Sequence, residues 1–281
     1  MNSDKQTKAP ASVPYQRFQQ NQQRSKDSGE TVLKERADGR QDDELKPRIM
    51  EAGLVGDASG SGYVECGSTK VVAAVFGPRE VTRRKEFSMQ AQLRCVFKFA
   101  PYANAGCSAR SGDKMTLAEQ RNSQWLEEAL RPVVQLRMYP KASIDIQVIC
   151  LENDGGALSC ALTACGVALA SSGIETFDLV IGVNLRAHGD RILMDPSREE
   201  EEMDSPSVGT FGNVTIGFMP VLRQITGLLQ TGDSEPAGLA HHVEALVKVA
   251  DRVKPLMNDC LIDFGQLQEK LSSLDLHQAP C

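Results

Sequence analysis

The chain is short of several things, and each shortage excludes something. No apolar run approaches the roughly 18–20 residues that a bilayer-spanning helix needs, so no membrane partner is expected. Residues 1–30 carry no apolar segment of the signal-peptide kind, so an intracellular protein is expected. Net positive charge is missing as well. The 31 Lys and Arg face 37 Asp and Glu, a balance of −6 that excludes nucleic-acid binding by bulk charge. Aromatics make up only 5% of the 281 residues, so a core must be built from Val, Leu, Ile and Ala. The eight cysteines include no C-x-x-C pair, and most sit in apolar runs where a thiol behaves as a small hydrophobe. Reduced structural cysteines are expected, not a disulfide or zinc framework. Of four histidines, His241 and His242 point about 100° apart on a helix and cannot share a metal, while His188 and His277 stand alone. No metal and no cofactor are therefore expected.

What is present is a mixed pattern of strands and helices, 41% hydrophobic, enough for one sizeable core. Residues 1–34 read as a disordered tail rich in Gln, Ser, Lys and Pro, 35–270 as one domain, and 271–281 as a flexible tail. Tyr63–Cys66 and Thr69–Phe76 form a hairpin pair around Gly67-Ser68. Gly60-Ser61-Gly62 reads as a turn and not a dinucleotide fingerprint, because a strand pair follows it. Leu93, Cys95, Phe97 and Phe99 share one face of a strand, with Arg94, Val96 and Lys98 on the other. A helix is predicted over about Lys114–Leu136, and a strand over Ser143–Leu151 with Ile144, Ile146, Val148 and Cys150 inward. Gly156–Ser171 reads as a helix apolar almost all round, hence buried on every side. Strands follow at Leu179–Leu185, Arg191–Asp195, Asn213–Phe218 and Gln224–Leu229. An amphipathic helix then covers about Leu239–Phe264, which Pro255 should kink or split. The class is α+β.

Several stretches, in order, resemble the RNase PH family and, within it, the ring subunits of the eukaryotic RNA exosome. Arg36-Ala37-Asp38-Gly39-Arg40 is similar to its opening motif. Gly62–Val71 resembles its first hairpin, and Phe76-Gly77-Pro78-Arg79-Glu80 the continuation in exosome subunits. Leu151-Glu152-Asn153-Asp154-Gly155-Gly156 with the small-residue helix resembles its central landmark. Leu193-Met194-Asp195-Pro196 with Glu199–Glu202 resembles its carboxylate segment. The resemblance implies an RNase PH-like fold (ribosomal protein S5 domain 2-like), with mixed sheets and packed helices. It also implies a six-member ring with other RNase PH-like exosome subunits, S1/KH-type cap subunits, RNA in a central channel, and a nuclear, nucleolar and cytoplasmic location.

Phosphorolysis brings a phosphate dianion against an RNA phosphodiester, so its site needs fixed cations and donors. In active relatives the helix after the double glycine starts G-T-R, and the arginine clamps the phosphate. Here Gly156 is followed by Ala157 and Leu158, so hydroxyl and guanidinium are both absent. Each lost charge-assisted bond is worth about 1.5–3 kcal/mol. A second phosphate-binding arginine is expected near Ala118, with Arg121 close by. Asp195 matches the family's first aspartate, and Glu201 stands near the second. The alternative for that pair is a strand-end residue and a solvated glutamate loop. These vestigial positions imply a non-catalytic subunit that builds the ring and guides RNA. The rivals are an active phosphate-dependent 3'-5' exoribonuclease and, more weakly, a stand-alone binding module.

Arg79, Arg83, Arg84, Lys85, Arg94 and Lys98 against Glu80 and Glu86 give residues 76–99 a local balance of +4. Such a segment can track a phosphate backbone without reading sequence. In relatives the loop after this hairpin faces the channel. The other reading is a solvated loop with no partner. Phe87, Phe97 and Phe99 are read as core, so base stacking is not expected.

Overall fold

Alternation of apolar and polar side chains sets the first sheet of the computed structural model. The structure describes residues 36, 38–80, 90–103, 116–189, 191–203, 211–233 and 236–278, with backbone alone at 237 and 271–278. Five strands, β1 (Arg48–Ala52), β2 (Gly60–Cys66), β3 (Thr69–Glu80), β4 (Gln92–Phe99) and β5 (Ala142–Glu152), make a sheet of order β1-β2-β3-β5-β4. All neighbours are antiparallel except β4 and β5, which run parallel. Leu93, Cys95 and Phe97 are buried with Ile144, Ile146, Val148 and Cys150, as the two-residue period predicts. Arg94, Val96 and Lys98 face outward.

Helix α1 (Leu117–Leu130) opens on a capping box between Thr116 and Glu119. It ends before Pro132, which cannot continue the hydrogen-bond ladder, and a single 3-10 turn follows at Leu136–Met138. The predicted helix to about Leu136 thus runs six residues past the observed end at Leu130, nearly two turns too long. Helix α1 also shields β4, an edge strand whose free N–H groups would otherwise be open to pairing. Phe97 N–H donates to Ser123 Oγ at 2.8 Å and Phe99 N–H to Glu119 Oε1 at 3.0 Å.

Helix α2 (Ala157–Ser171) is the centre of the molecule, with every residue from Ser159 to Leu169 buried. One side meets the first sheet. The other meets a second sheet made of β6 (Ile181–His188), β7 (Arg191–Met194), β8 (Phe211–Met219) and β9 (Gln224–Asp233), antiparallel throughout in the order β7-β6-β8-β9. Close approach requires missing side chains. A Cβ on Gly62 would sit 2.5 Å from the Ala164 carbonyl oxygen, and one on Gly182 would collide with the Ser159 carbonyl. The Gly60-Ser61-Gly62 turn expected from sequence is therefore the start of β2, and its glycines serve packing.

Between β7 and β8 a four-residue helix, α3 (Arg198–Glu201), starts at the Ser197 cap. The last element, α4 (Pro236–Gln278), is one helix of 43 residues with Pro255 inside it. Its apolar stripe, Leu246, Val249, Ala250, Val253 and Met257, packs on the second sheet. Pro255 does not split it. The carbonyl that loses a donor belongs to Asp251, an exposed position that water can serve. The helical backbone runs past Phe264 and through the expected tail to Gln278. Among the described residues no helix is long and apolar enough to cross a membrane.

Residues Met1–Gln41 form a separate unit from Asp42–Cys281. Among its described residues, Gly39 N–H donates to the Arg36 carbonyl at 3.0 Å and Arg40 pairs with Asp38 at 3.0 Å.

Candidate functional site

The motifs that lie apart in sequence meet at the N-terminus of α2. Gly155 and Gly156 precede it with φ of 89° and 66°, a left-handed path that favours glycine. Thr69, from the first hairpin, bridges this turn. Its hydroxyl accepts the Asp154 N–H at 3.0 Å and donates to the Gly155 carbonyl at 2.7 Å. The Lys46 ammonium spans the same turn, donating to the Asp154 carbonyl at 2.7 Å and the Pro196 carbonyl at 3.3 Å.

Both expected carboxylates are here, and both are engaged within the chain. Asp195 closes β7 in a left-handed conformation, φ 44°. Arg48 Nη2 donates to its two oxygens at 2.8 and 3.0 Å. The side chains are 4% and 3% exposed, so this is a fully buried ion pair. Burial pulls the Arg48 pKa down, but the adjacent Asp195 carboxylate more than offsets it and holds the guanidinium above its ordinary value.

Glu201, from α3, takes the place at the helix mouth. Its Oε1 accepts the Gly156 N–H at 2.8 Å and the Asn184 amide at 3.4 Å. A carboxylate is the natural occupant of that position, where the helix dipole and an unsatisfied N–H favour an anion. Here the anion is the chain's own. Burial nevertheless raises the Glu201 pKa, outweighing the Gly156 N–H and the charges of Lys46 and Arg186. Arg186 is buried and fixes α3 from below, donating to the Glu201 carbonyl at 2.7 Å, the Met203 carbonyl at 2.6 Å and Asn213 Oδ1 at 2.9 Å. Its guanidinium lies 4.6 Å from the Phe211 ring centre.

Ala157 and Leu158 form the first turn of α2, half-buried and packed on the core of the first sheet. Ala118 and Arg121 are exposed on α1, and the Arg121 side chain makes no hydrogen bond or ion pair with a described residue. Among the described residues no cluster of three or more His, Cys, Asp or Glu can hold a metal. Sequence reasoning missed Lys46, Arg48, Asn184 and Arg186. The signal available was Arg186 and Asn184 inside an otherwise apolar strand, where a buried polar residue demands a partner.

The basic residues fall on a different face. Arg94 and Lys98 are exposed on the outer side of β4, and Arg79 is exposed near the end of β3. Arg83, Arg84 and Lys85 lie outside the described residues. Phe76, Arg79, Arg94, Val96, Asp145, Ile146 and Gln147 line an open groove of about 310 Å³.

Residues 44–175 match the 3' exoribonuclease family (RNase PH), domain 1. The chain is 34% identical over 235 residues to exosome complex component MTR3 of Mus musculus, covering 78% of this chain and 83% of that one. It belongs to the RNase PH family. Within the family it is also 30% identical over 226 residues to exosome complex component RRP41-like of Arabidopsis thaliana, spanning 80% and 84% of the two chains. It is 33% identical over 227 residues to Rrp41 of Pyrobaculum neutrophilum, spanning 80% and 89%. The fold matches rice Rrp46 with a TM-score of 0.68 at 23% identity, over 80% of this chain and 100% of that one. It matches a chain of the Archaeoglobus fulgidus exosome, solved with RNA bound to the active site, with a TM-score of 0.66 at 19% identity, over 79% and 92%.

Proposed function

We propose that this chain is a non-catalytic ring subunit of an exosome, assembling with other RNase PH-like chains and guiding RNA toward hydrolytic subunits. The carrying observation is Glu201 Oε1 on the Gly156 N–H, 2.8 Å apart. A phosphate at that helix mouth would have to displace a carboxylate already bound there. It would then find Leu158 where active relatives have an arginine. The loss is about 1.5–3 kcal/mol per charge-assisted bond, and a transition-state arginine in phosphoryl transfer is worth about 10³–10⁵ in rate. Asp195 cannot compensate, since its carboxylate neutralises Arg48 in the interior.

The likeness to MTR3 supports the ring role. With it come S1/KH-type cap subunits as neighbours and a nuclear and nucleolar location with a cytoplasmic pool. RNA contact in this reading rests on Arg79, Arg94 and Lys98 together with Arg83, Arg84 and Lys85. The competing reading, an active phosphate-dependent 3'-5' exoribonuclease, is separated by one assay. Purified protein with labelled poly(A), phosphate and Mg²⁺ is expected to release no nucleoside diphosphate. Release at a rate typical of the family's active members overturns the non-catalytic assignment. Native mass spectrometry of the affinity-purified assembly is expected to show other RNase PH-like chains. A stable monomer overturns the ring role.

A further inference from the structure

The groove on the outer face of the first sheet has a composition that phosphate tracking alone does not require. Arg94 on β4 and Asp145 on β5 are register partners, as are Val96 and Gln147. Across the other edge of β5, Asp145 faces Phe76 of β3. The guanidinium of Arg79 lies 5.4 Å from the Phe76 ring centre. The Arg94 and Asp145 side chains make no hydrogen bond or ion pair with any described residue, although they are lateral neighbours. Two cations therefore flank a carboxylate and an amide beside the apolar side chains of Phe76 and Val96. Phe76, which the sequence reading did not weigh as a stacking surface, is half-exposed here.

We propose that this groove binds one nucleotide of single-stranded RNA and favours guanine, with Arg79 and Arg94 on the flanking phosphates and Asp145 on the base. The proposal rests on the RNA-guiding reading above and names the base class that site selects. Phosphates carry no sequence information, so Arg79 and Arg94 position the strand. The base lies against Phe76 and Val96, because stacking and apolar contact accept any base. Selection comes from Asp145, whose ionised carboxylate offers two acceptors and no donor. Guanine presents two adjacent N–H donors on its Watson–Crick edge, a match for both oxygens. Adenine and cytosine present one amino group beside an acceptor nitrogen, which repels the second oxygen. Uracil presents a single N–H between two carbonyls. The carboxylate also repels phosphate, so it weakens binding to any strand that lacks guanine.

The test uses the full chain and fluorescently labelled RNA dodecamers, uridine alone or uridine alternating with guanosine, adenosine or cytidine, read by anisotropy across a salt series. Wild type is expected to bind the guanosine strand roughly fivefold more tightly than the others, at the modest end for a bidentate base contact because the groove is open. Asp145→Asn is expected to abolish that preference while tightening binding to the uridine strand. Arg94→Ala is expected to weaken all strands about fivefold and to lower the salt slope by about 0.7. Both positions lie on the outer face, so the fold is retained, which circular dichroism checks. Wild type that binds no strand removes the RNA-guiding reading itself. Wild type that binds, with both variants unchanged, overturns the groove and leaves that reading standing. A guanosine preference that survives in Asp145→Asn overturns the base contact.

Discussion

Replacing Asp195 by Asn tests whether this carboxylate is a structural pillar. Asn matches Asp in shape and tolerates the positive φ of 44° at this position, so the backbone contributes little to the effect. The amide keeps an acceptor for Arg48 but loses the charge. Among the described residues the Arg48 side chain donates only to Asp195, and its Nε has no partner there. The variant therefore leaves a guanidinium, 4% exposed, without a counter-ion. Breaking a buried pair from one side costs about 3–5 kcal/mol. At about 2–4 °C per kcal/mol for a domain of this size, the melting temperature should fall by roughly 6–20 °C. The assay is urea unfolding, followed by the fluorescence of the single Trp125, 9% exposed on α1, with circular dichroism as a second probe. Arg48→Met should cost a similar amount, because it removes the Arg48 charge from beside a buried carboxylate instead. The double variant should lose less than the two singles combined, by about 0.5–3 kcal/mol of coupling. A change within about 0.5 kcal/mol for Asp195→Asn, or strict additivity in the double variant, would refute the reasoning.

Two carboxyls give pH dependences of opposite sign. Burial raises the Glu201 pKa in the folded chain. The folded state thus holds a proton that the unfolded chain releases, and stability falls as pH rises from about 4.3 through the folded value. Glu201→Gln should remove that decline in urea unfolding across the acidic range, and an unchanged pH profile would count against it. For Glu119, burial works upward, but the Thr116 and Phe99 N–H donors prevail and hold its pKa below the ordinary value. Its contribution is present above the unfolded pKa and is lost as pH falls through the folded one. Glu119→Gln should therefore destabilise by about 1 kcal/mol near neutral pH and by less in acid. A loss that grows with acidity would contradict this. Gly62→Ala should cost about 1–3 kcal/mol, since its Cβ would sit 2.5 Å from the Ala164 carbonyl oxygen. A melting temperature equal to wild type would show that α2 can move away.

Strands and the central helix were legible because their periods are short and their faces unambiguous. Ile144, Ile146, Val148 and Cys150 alternate into the core, and the helix with no polar face is buried on every side. Features set by partners distant in sequence were not legible. Gly60-Ser61-Gly62 has the composition of a turn, and only the backbone of α2 lying against it explains those glycines. Pro255 looks like a break until Asp251 is seen to face solvent. At the site, Asp195 and Glu201 could be named from the carboxylate segment, but their roles depend on Arg48 and Gly156. Those residues are 147 and 45 positions away, and no local pattern reports a pairing across such a separation.

That dependence explains how the chain's own groups fill the outline of an anion site. A helix N-terminus that binds a ligand must leave N–H donors unsatisfied until the ligand arrives, at a cost to the free protein. Here the Gly156 donor is satisfied from within. Lys46 holds the Asp154 turn against the Pro196 carbonyl, Arg186 holds the end of α3, and Glu201 therefore reaches the helix mouth from a fixed direction. Lys46, Arg48 and Arg186 each tie one segment of this chain to another. Lys46 and Arg48 brace the turn and β7 from the first sheet, while Arg186 does so from the second. The Lys46 and Arg48 charges thus serve as cross-links between the two sheets, and the rigidity they supply is what keeps Glu201 on the helix mouth.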